Sequence, residues 1–409
     1  MKLKKIAVLV VAFILMITAF AGCAKPETMA TVKDADGNVV GTVSFDEYLF
    51  WAYYNYAYYD AYYENYYYYF QTYFKDTLDD IYDPDAEEPI TVNQFLTDSL
   101  VGDLKQQFVI LKLFNEYGLT FGADEITDVA SYYNSMVSNY GETTVKKIRA
   151  RLGMNETQFK EMLRSLVKIS CVQEHLFGEG GSMAVTSEQA KAHLLENYLQ
   201  VKHIYIGTSY TVTEDEKKVT KTRTEQEVQE LVDKIKSEYE ANPTLENFLS
   251  LVEKYSEDTG SIKTTTTDNV TTHDKTYCSA TYNSSFGALS VTEYGGYVFD
   301  KEYNNFYSEF TDLAKELKEN EIGTCKVTSQ STDNKVTGMH IILKLDLAKS
   351  ESTVNKMMEV KDDYETPYIN IITENKVFTD LLDAEIAKLT FEFDEALLEK
   401  YSMKNLKSI

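Results

Sequence analysis

Apolar and polar residues alternate through "ATVKDADGNVVGTVSF", residues 30–45, with Asp36-Gly37 at the centre. That dipeptide suits a tight turn because its positions tolerate positive φ, so the pattern predicts a hairpin. Ser44 then stands three residues before Glu47, a capping-box spacing that predicts a helix starting there. The helix would carry "YLFWAYYNYAYYDAYYENYYYYFQTYF", Tyr48 to Phe74. At 3.6 residues per turn Ala57, Asp60, Ala61, Glu64, Gln71 and Thr72 fall near one narrow stripe, and aromatic rings fill the rest of the circumference. From about Phe45 to Lys75 such a helix would be on the order of 45 Å long. One neighbouring helix could not cover that much aromatic surface, so some rings are expected to stay accessible. A tyrosine pairs an apolar face with a hydroxyl that tolerates water, which suits a cradle for unfolded segments.

The same capping logic places further helix starts at Thr91 with Gln94, Asn155 with Gln158, and Thr186 with Gln189, the first helix closing near Gly118. The chain is expected to be helical to about Asn197. At "VKHIYIGT" the period becomes that of a strand. "TVTEDEKKVTKTR" reads as a charged loop, and helices follow from Thr224 with Glu227 and after Pro243. Residues 259–294, rich in Thr, Ser and Asn, read as a long surface insertion. Then come a Gly295-Gly296 turn, a helical "FYSEFTDLAKELKE", and two apolar strands, "TCKVTS" and "GMHIILKL". The tail beyond Lys349 is helical again, with "LTFEFD" alternating as a strand.

The fold class expected is therefore α+β: a helical domain made of the N-terminal region plus the C-terminal tail, with an antiparallel-sheet domain inserted into it. The boundaries expected are a leader at 1–22, an N-terminal domain at 23–197, a central domain at 198–348 and a tail at 349–409.

Composition narrows the function. A formal charge of -25 on 409 residues argues against a nucleic-acid partner, since counterion release needs clustered Lys and Arg. The opening "MKLKKIAVLVVAFILMITAFAGC" has a short basic start, an apolar run of secretory length and small residues before Cys23. This is an export signal. Its "FAGC" ending resembles the lipobox of bacterial lipoproteins, which implies a lipid anchor on Cys23 and a location at the extracytoplasmic face of the cell membrane. Cys171, Cys278 and Cys325 show neither a CxxC pair nor metal-like spacing with the five histidines, so no metal or cofactor is called for. A Cys278–Cys325 disulfide is open, with free thiols as the blander alternative.

From Val201 to Leu345 the chain resembles the parvulin peptidyl-prolyl isomerases, and as a whole it resembles the parvulin-type foldase lipoproteins of Gram-positive bacteria. The resemblance is carried by "VKHIYI", "FLSLVEKYSED", "FYSEFTDLAKELKENEIG" and "GMHIIL", and by "RLGMNETQFKEMLRSLVKISCVQEHLF" for a helical chaperone domain. By position it implies His203 and His340 as paired strand histidines and Asp258 as the catalytic-loop acid. It implies Phe306 and Phe310, four apart on one helix face, as the grip on the proline ring, and Thr337 as a neighbouring hydroxyl. Rotating an X-Pro bond meets a resonance barrier of roughly 18–20 kcal/mol but breaks no bond, so a dry pocket that favours the twisted amide would suffice. The chain departs from the family at "GGYVF", where the family has "GGDLG", and in the insertion directly after Asp258. The partners implied are unfolded exported proteins and, through Cys23, the membrane, with homodimerisation left open. The alternative is a parvulin-like chaperone or scaffold without isomerase activity.

Overall fold

The computed structural model describes residues 28–66, 74–84, 86, 88–214, 217–258, 260–267, 270–328 and 337–406. The leader, Cys23 and residues 67–73 of the aromatic stretch lie outside the described residues. The chain divides into two units, one of Met1–Ala184 with Val377–Ile409, the other Val185–Lys376.

In the first unit, β1 (Thr28–Lys33) and β2 (Val39–Ser44) form the hairpin around Asp36-Gly37, with Gly37 at φ 82°. A tail strand, Thr390–Phe393, pairs antiparallel with the other edge of β1. Helix α1 (Phe45–Tyr66) starts in the expected capping box: Glu47 N–H donates to Ser44 Oγ and Ser44 N–H to Glu47 Oε2. Helices α2 (Val92–Glu116), α3 (Ala123–Tyr140), α4 (Glu142–Arg151) and α5 (Glu156–Phe177) complete the packing.

The start of the aromatic stretch is largely core. Tyr48, Phe50, Trp51, Tyr53 and Tyr56 are buried with Leu100, Leu104, Phe159 and Leu163, and with Leu398, Met403 and Leu406 of the tail. Phe50 meets Phe159 edge-on at 5.3 Å, and the Tyr48 hydroxyl donates to the Tyr401 carbonyl at 3.0 Å. The accessible cradle is therefore corrected for these residues: helix, hairpin and tail together cover several sides of α1, which one neighbouring helix could not. Further along the helix Tyr58 is 55% exposed.

The second unit holds a six-stranded antiparallel sheet. It begins with α6 (Ser187–Asn197) running into β3 (Tyr198–Gly207). The segment read as a charged loop is instead a separate hairpin, β4 (Ser209–Glu214) with β5 (Lys217–Thr222), because its Thr/Val alternation supports pairing. Helices α7 (Glu225–Glu240) and α8 (Leu245–Tyr255) follow.

The insertion is also not a loose surface segment. After a small hairpin, β6 (Thr264–Thr267) with β7 (Val270–His273), it contributes β8 (Cys278–Asn283) and β9 (Ala288–Glu293) to the sheet beside β10 (Gly296–Asp300). Ala288, Leu289 and Val291 are buried, which is what holds these polar-looking strands in place. Helix α9 (Ser308–Glu316), β11 (Ile322–Thr328), β12 (Thr337–Leu345) and α10 (Glu351–Met358) complete the unit, with strand order β11-β12-β3-β10-β9-β8.

Two boundaries move accordingly. Ala190 and Leu194 of α6, and Val354 and Met357 of α10, bury against Tyr198, Leu289, Val291 and Val298, so this unit is wider at both ends than 198–348. Cys278 and Cys325 lie on opposite edge strands, five strand spacings or roughly 24 Å apart, too far for a disulfide. Among the described residues no cysteine is in a disulfide.

Candidate functional site

Side chains alternate across a sheet, and this alternation sorts the site. On one face Ile204, Ile206, Ile341 and Leu343 pack under α7 and α8. On the other Leu199, Val201, Phe299 and Ile342 pack under α9 through Phe310 and Ala314. His203 and Tyr205 continue that second face of β3, and His340 shares it because β12 pairs with β3 in the register His340↔Tyr205 and Ile342↔His203. The two imidazoles stack 5.4 Å apart, with their Nδ1 atoms at 3.2 Å.

Asp258 reaches this face from the loop after α8. Its Oδ2 accepts His203 Nε2–H at 2.8 Å, the Tyr297 hydroxyl at 2.7 Å and the Ser261 hydroxyl at 3.1 Å, and its Oδ1 accepts Gly260 N–H at 2.9 Å. The Gly295-Gly296 turn sets the neighbouring strand. Gly295 has φ 71°, and a side chain on Gly296 would meet the Val201 carbonyl at 1.9 Å, so only glycine lets β10 approach β3 here.

Phe310 lies beneath both histidines, edge-on to His340 at 5.1 Å and to His203 at 5.7 Å. Phe306 stacks against Phe310 at 5.3 Å. The expectation that both sit on one helix face is corrected. The helix starts only at Ser308, and Phe306 is in the preceding loop, where its N–H donates to the Asn304 side chain. Tyr303 and Tyr307 stand exposed beside it.

Thr337 is not part of the cluster. Three residues from His340, it falls on the opposite side of β12, and its hydroxyl lies 3.3 Å from that of Thr328. It lines a small pocket with Thr208, Glu225, Val228, Lys326 and Met339. The structure thus brings together His203, His340, Asp258, Phe306 and Phe310, and leaves Thr337 out.

No family model matches the chain, and no curated protein matches it. Among solved structures it is similar to the foldase protein PrsA from Streptococcus pneumoniae, at 14% identity over 75% of this chain and 92% of that one, with a TM-score of 0.20. It is also similar to the foldase protein PrsA from Lactococcus lactis, at 13% identity over 77% and 95% of the two chains, with a TM-score of 0.22.

Two of the site's residues escaped the sequence reading, Tyr297 and Ser261. Tyr297 occupies the third position of "GGYVF", the place of the acid in the family turn, and its hydroxyl ends on Asp258. The departure was itself the available signal. Its ring also packs against His203 and Phe306, each at 5.1 Å.

The electrostatics follow from these contacts. Burial opposes charge on Asp258, but the hydrogen bond and charge of His203, with Tyr297 and Gly260, outweigh it and hold the carboxyl well below the usual carboxylate range. Burial, reinforced by the neighbouring His203, holds His340 down at about 3, a neutral ring at neutral pH. Burial and then the Asp258 charge push the Tyr297 phenol up, so it remains a donor. Asp258 takes the Nε2–H of His203, so a hydrogen bond between the facing Nδ1 atoms of two neutral rings is donated by His340, whose outer nitrogen is then an acceptor. The whole is an aromatic floor of Tyr297, Phe306 and Phe310 against two imidazoles, with His203 buried and His340 half-buried. Among the described residues no cluster of His, Cys, Asp and Glu is arranged to hold a metal ion, and no helix is long and apolar enough to cross a membrane.

Proposed function

We propose that the Val185–Lys376 unit is a peptidyl-prolyl cis-trans isomerase and that the chain is a foldase, anchored through Cys23 at the extracytoplasmic face of a membrane, with unfolded exported proteins as its clients. One observation supports this above all: the His203–His340–Asp258 network sits directly on the stacked Phe306 and Phe310 rings. Apolar rings would hold the proline, and the adjacent neutral imidazole would meet the amide as it turns. A twisted amide has lost its resonance dipole and is better matched to such a surface than the planar ground state, which is the differential binding that catalysis needs. No nucleophile takes part.

The test is proline isomerisation in a short X-Pro peptide by the chain beginning after Cys23, beside His203→Ala and Phe306→Ala. Acceleration lost in both variants is the expected result; a wild type that gives no acceleration rejects the enzymatic reading.

A second reading, a proline-binding module without turnover, draws on the saturation of Asp258. With four donors on its two oxygens it has little capacity left for a substrate. Peptide binding without acceleration would select this reading.

A further inference from the structure

Residues 256–258 are laced to the last residues of β3. Ser256 Oγ accepts Tyr205 N–H at 3.2 Å and Asp258 N–H at 3.4 Å, and Glu257 N–H donates to the Tyr205 carbonyl at 2.9 Å. The Glu257 carboxylate then closes on Gly207 N–H with Oε2, at 2.8 Å, and on Arg223 with Oε1, at 2.6 Å. The same guanidinium nitrogen donates to the Gly207 carbonyl at 3.0 Å.

Arg223 is in turn held from two sides. Its N–H donates to the Thr208 carbonyl at 2.7 Å, and its guanidinium lies over the Tyr210 ring, 3.6 Å from the centroid. The two charged side chains are only 18% and 21% exposed, so water screens this pair less than an open surface pair.

We propose that Arg223 is a positioning residue for the Asp258–His203 pair. By fastening Glu257 to Gly207 it fixes the loop residue next to Asp258 against the strand that carries His203, four residues before Gly207. The lever is short, one peptide on the loop side, so freeing the Glu257 carboxylate shifts Asp258 directly. A partly buried carboxylate without its cation would turn outward to water and take the loop with it. For its effect on turnover this inference rests on the isomerase reading; the clamp itself is a matter of hydrogen bonds and is read separately.

The experiment uses the full chain in detergent, with Arg223→Ala, Arg223→Lys, Glu257→Ala, Tyr210→Ala and an exposed control, Thr220→Ala. The first readout is the low-field proton resonance of His203 Nε2–H on Asp258. We expect it in the wild type and control, broadened or lost in Arg223→Ala and Glu257→Ala, and partly restored in Arg223→Lys, while thermal unfolding stays cooperative. The second readout is X-Pro isomerisation, where kcat/KM is expected to fall about tenfold or more in Arg223→Ala with peptide affinity held within about twofold. A resonance unchanged in Arg223→Ala and Glu257→Ala overturns the proposal. Should Arg223→Ala not fold, Tyr210→Ala decides, since it loosens the guanidinium without removing its charge: a broadened resonance supports the clamp and an unchanged one overturns it. A wild type that fails to accelerate isomerisation defeats the isomerase reading instead, and the resonance alone then decides the clamp.

Discussion

At the scale of single residues, burial works against charge on Asp258 while its donors work for it, and the donors win. Its pKa is lower in the folded chain than in the unfolded chain, so the stability it contributes is complete above the unfolded value of about 3.9 and is lost as pH falls through the folded one. His340 acts in the same direction for a different reason. Folded it stays neutral down to about 3, so between there and its ordinary 6.5 only the unfolded chain takes up the proton, and stability falls as pH falls. Urea unfolding followed from pH 7 to pH 4 should show a declining midpoint. His340→Phe should flatten that decline; an unchanged slope would mean that the imidazole titrates normally. The two phenylalanines should also separate. Phe310, 2% exposed, is part of the core, and Phe310→Ala should cost about 3–5 kcal/mol in denaturant unfolding. Phe306→Ala, on the half-buried loop, should leave the fold intact while weakening peptide binding.

At the scale of elements, the close approach of β10 to β3 depends on Gly296. A Cβ there meets the Val201 carbonyl at 1.9 Å, and neither backbone can yield without parting the strands that carry Tyr297 and His203. Gly296→Ala is expected to lower stability by roughly 2–4 kcal/mol. Gly287, in the turn between β8 and β9, has φ 66° but open space around it, so Gly287→Ala should cost only about 1–2 kcal/mol of backbone strain. Equal losses measured by denaturant titration would contradict the steric account. The β8–β9 pair also shows why polar composition misleads: the buried apolar Ala288, Leu289 and Val291, with Glu293 buried against Lys202, keep a Thr/Ser-rich segment in the sheet.

At the scale of the whole molecule, the first unit is closed by its own distant tail. The strand Thr390–Phe393 covers an edge of β1, and Leu398, Met403 and Leu406 enter the core around the aromatic helix. Ending the chain at Leu389 should remove more than about 5 kcal/mol, enough to unfold that unit, while the Val185–Lys376 unit keeps its own unfolding transition. A single unchanged transition by calorimetry would contradict this. Much of the architecture is nonetheless written locally. Capping boxes at Ser44, Asn155, Thr186 and Thr224 start helices where expected, and alternation marks β1, β2, β3 and β12, because both signals depend on residues a few positions apart. That His203, His340 and Asp258 would come together was implied by the family resemblance rather than by local signals, and the three side chains are in contact. Tertiary structure alone decided the rest: that Thr337 faces away from His340, that Phe306 precedes its helix, that Tyr297 completes the Asp258 network, that Tyr48, Tyr53 and Tyr56 are core, and that Cys278 and Cys325 stand at opposite edges. Each of these depends on strand register or on which distant surface covers a face, and pairing across more than a hundred residues is set by the packing of the whole chain rather than by the preferences of neighbours.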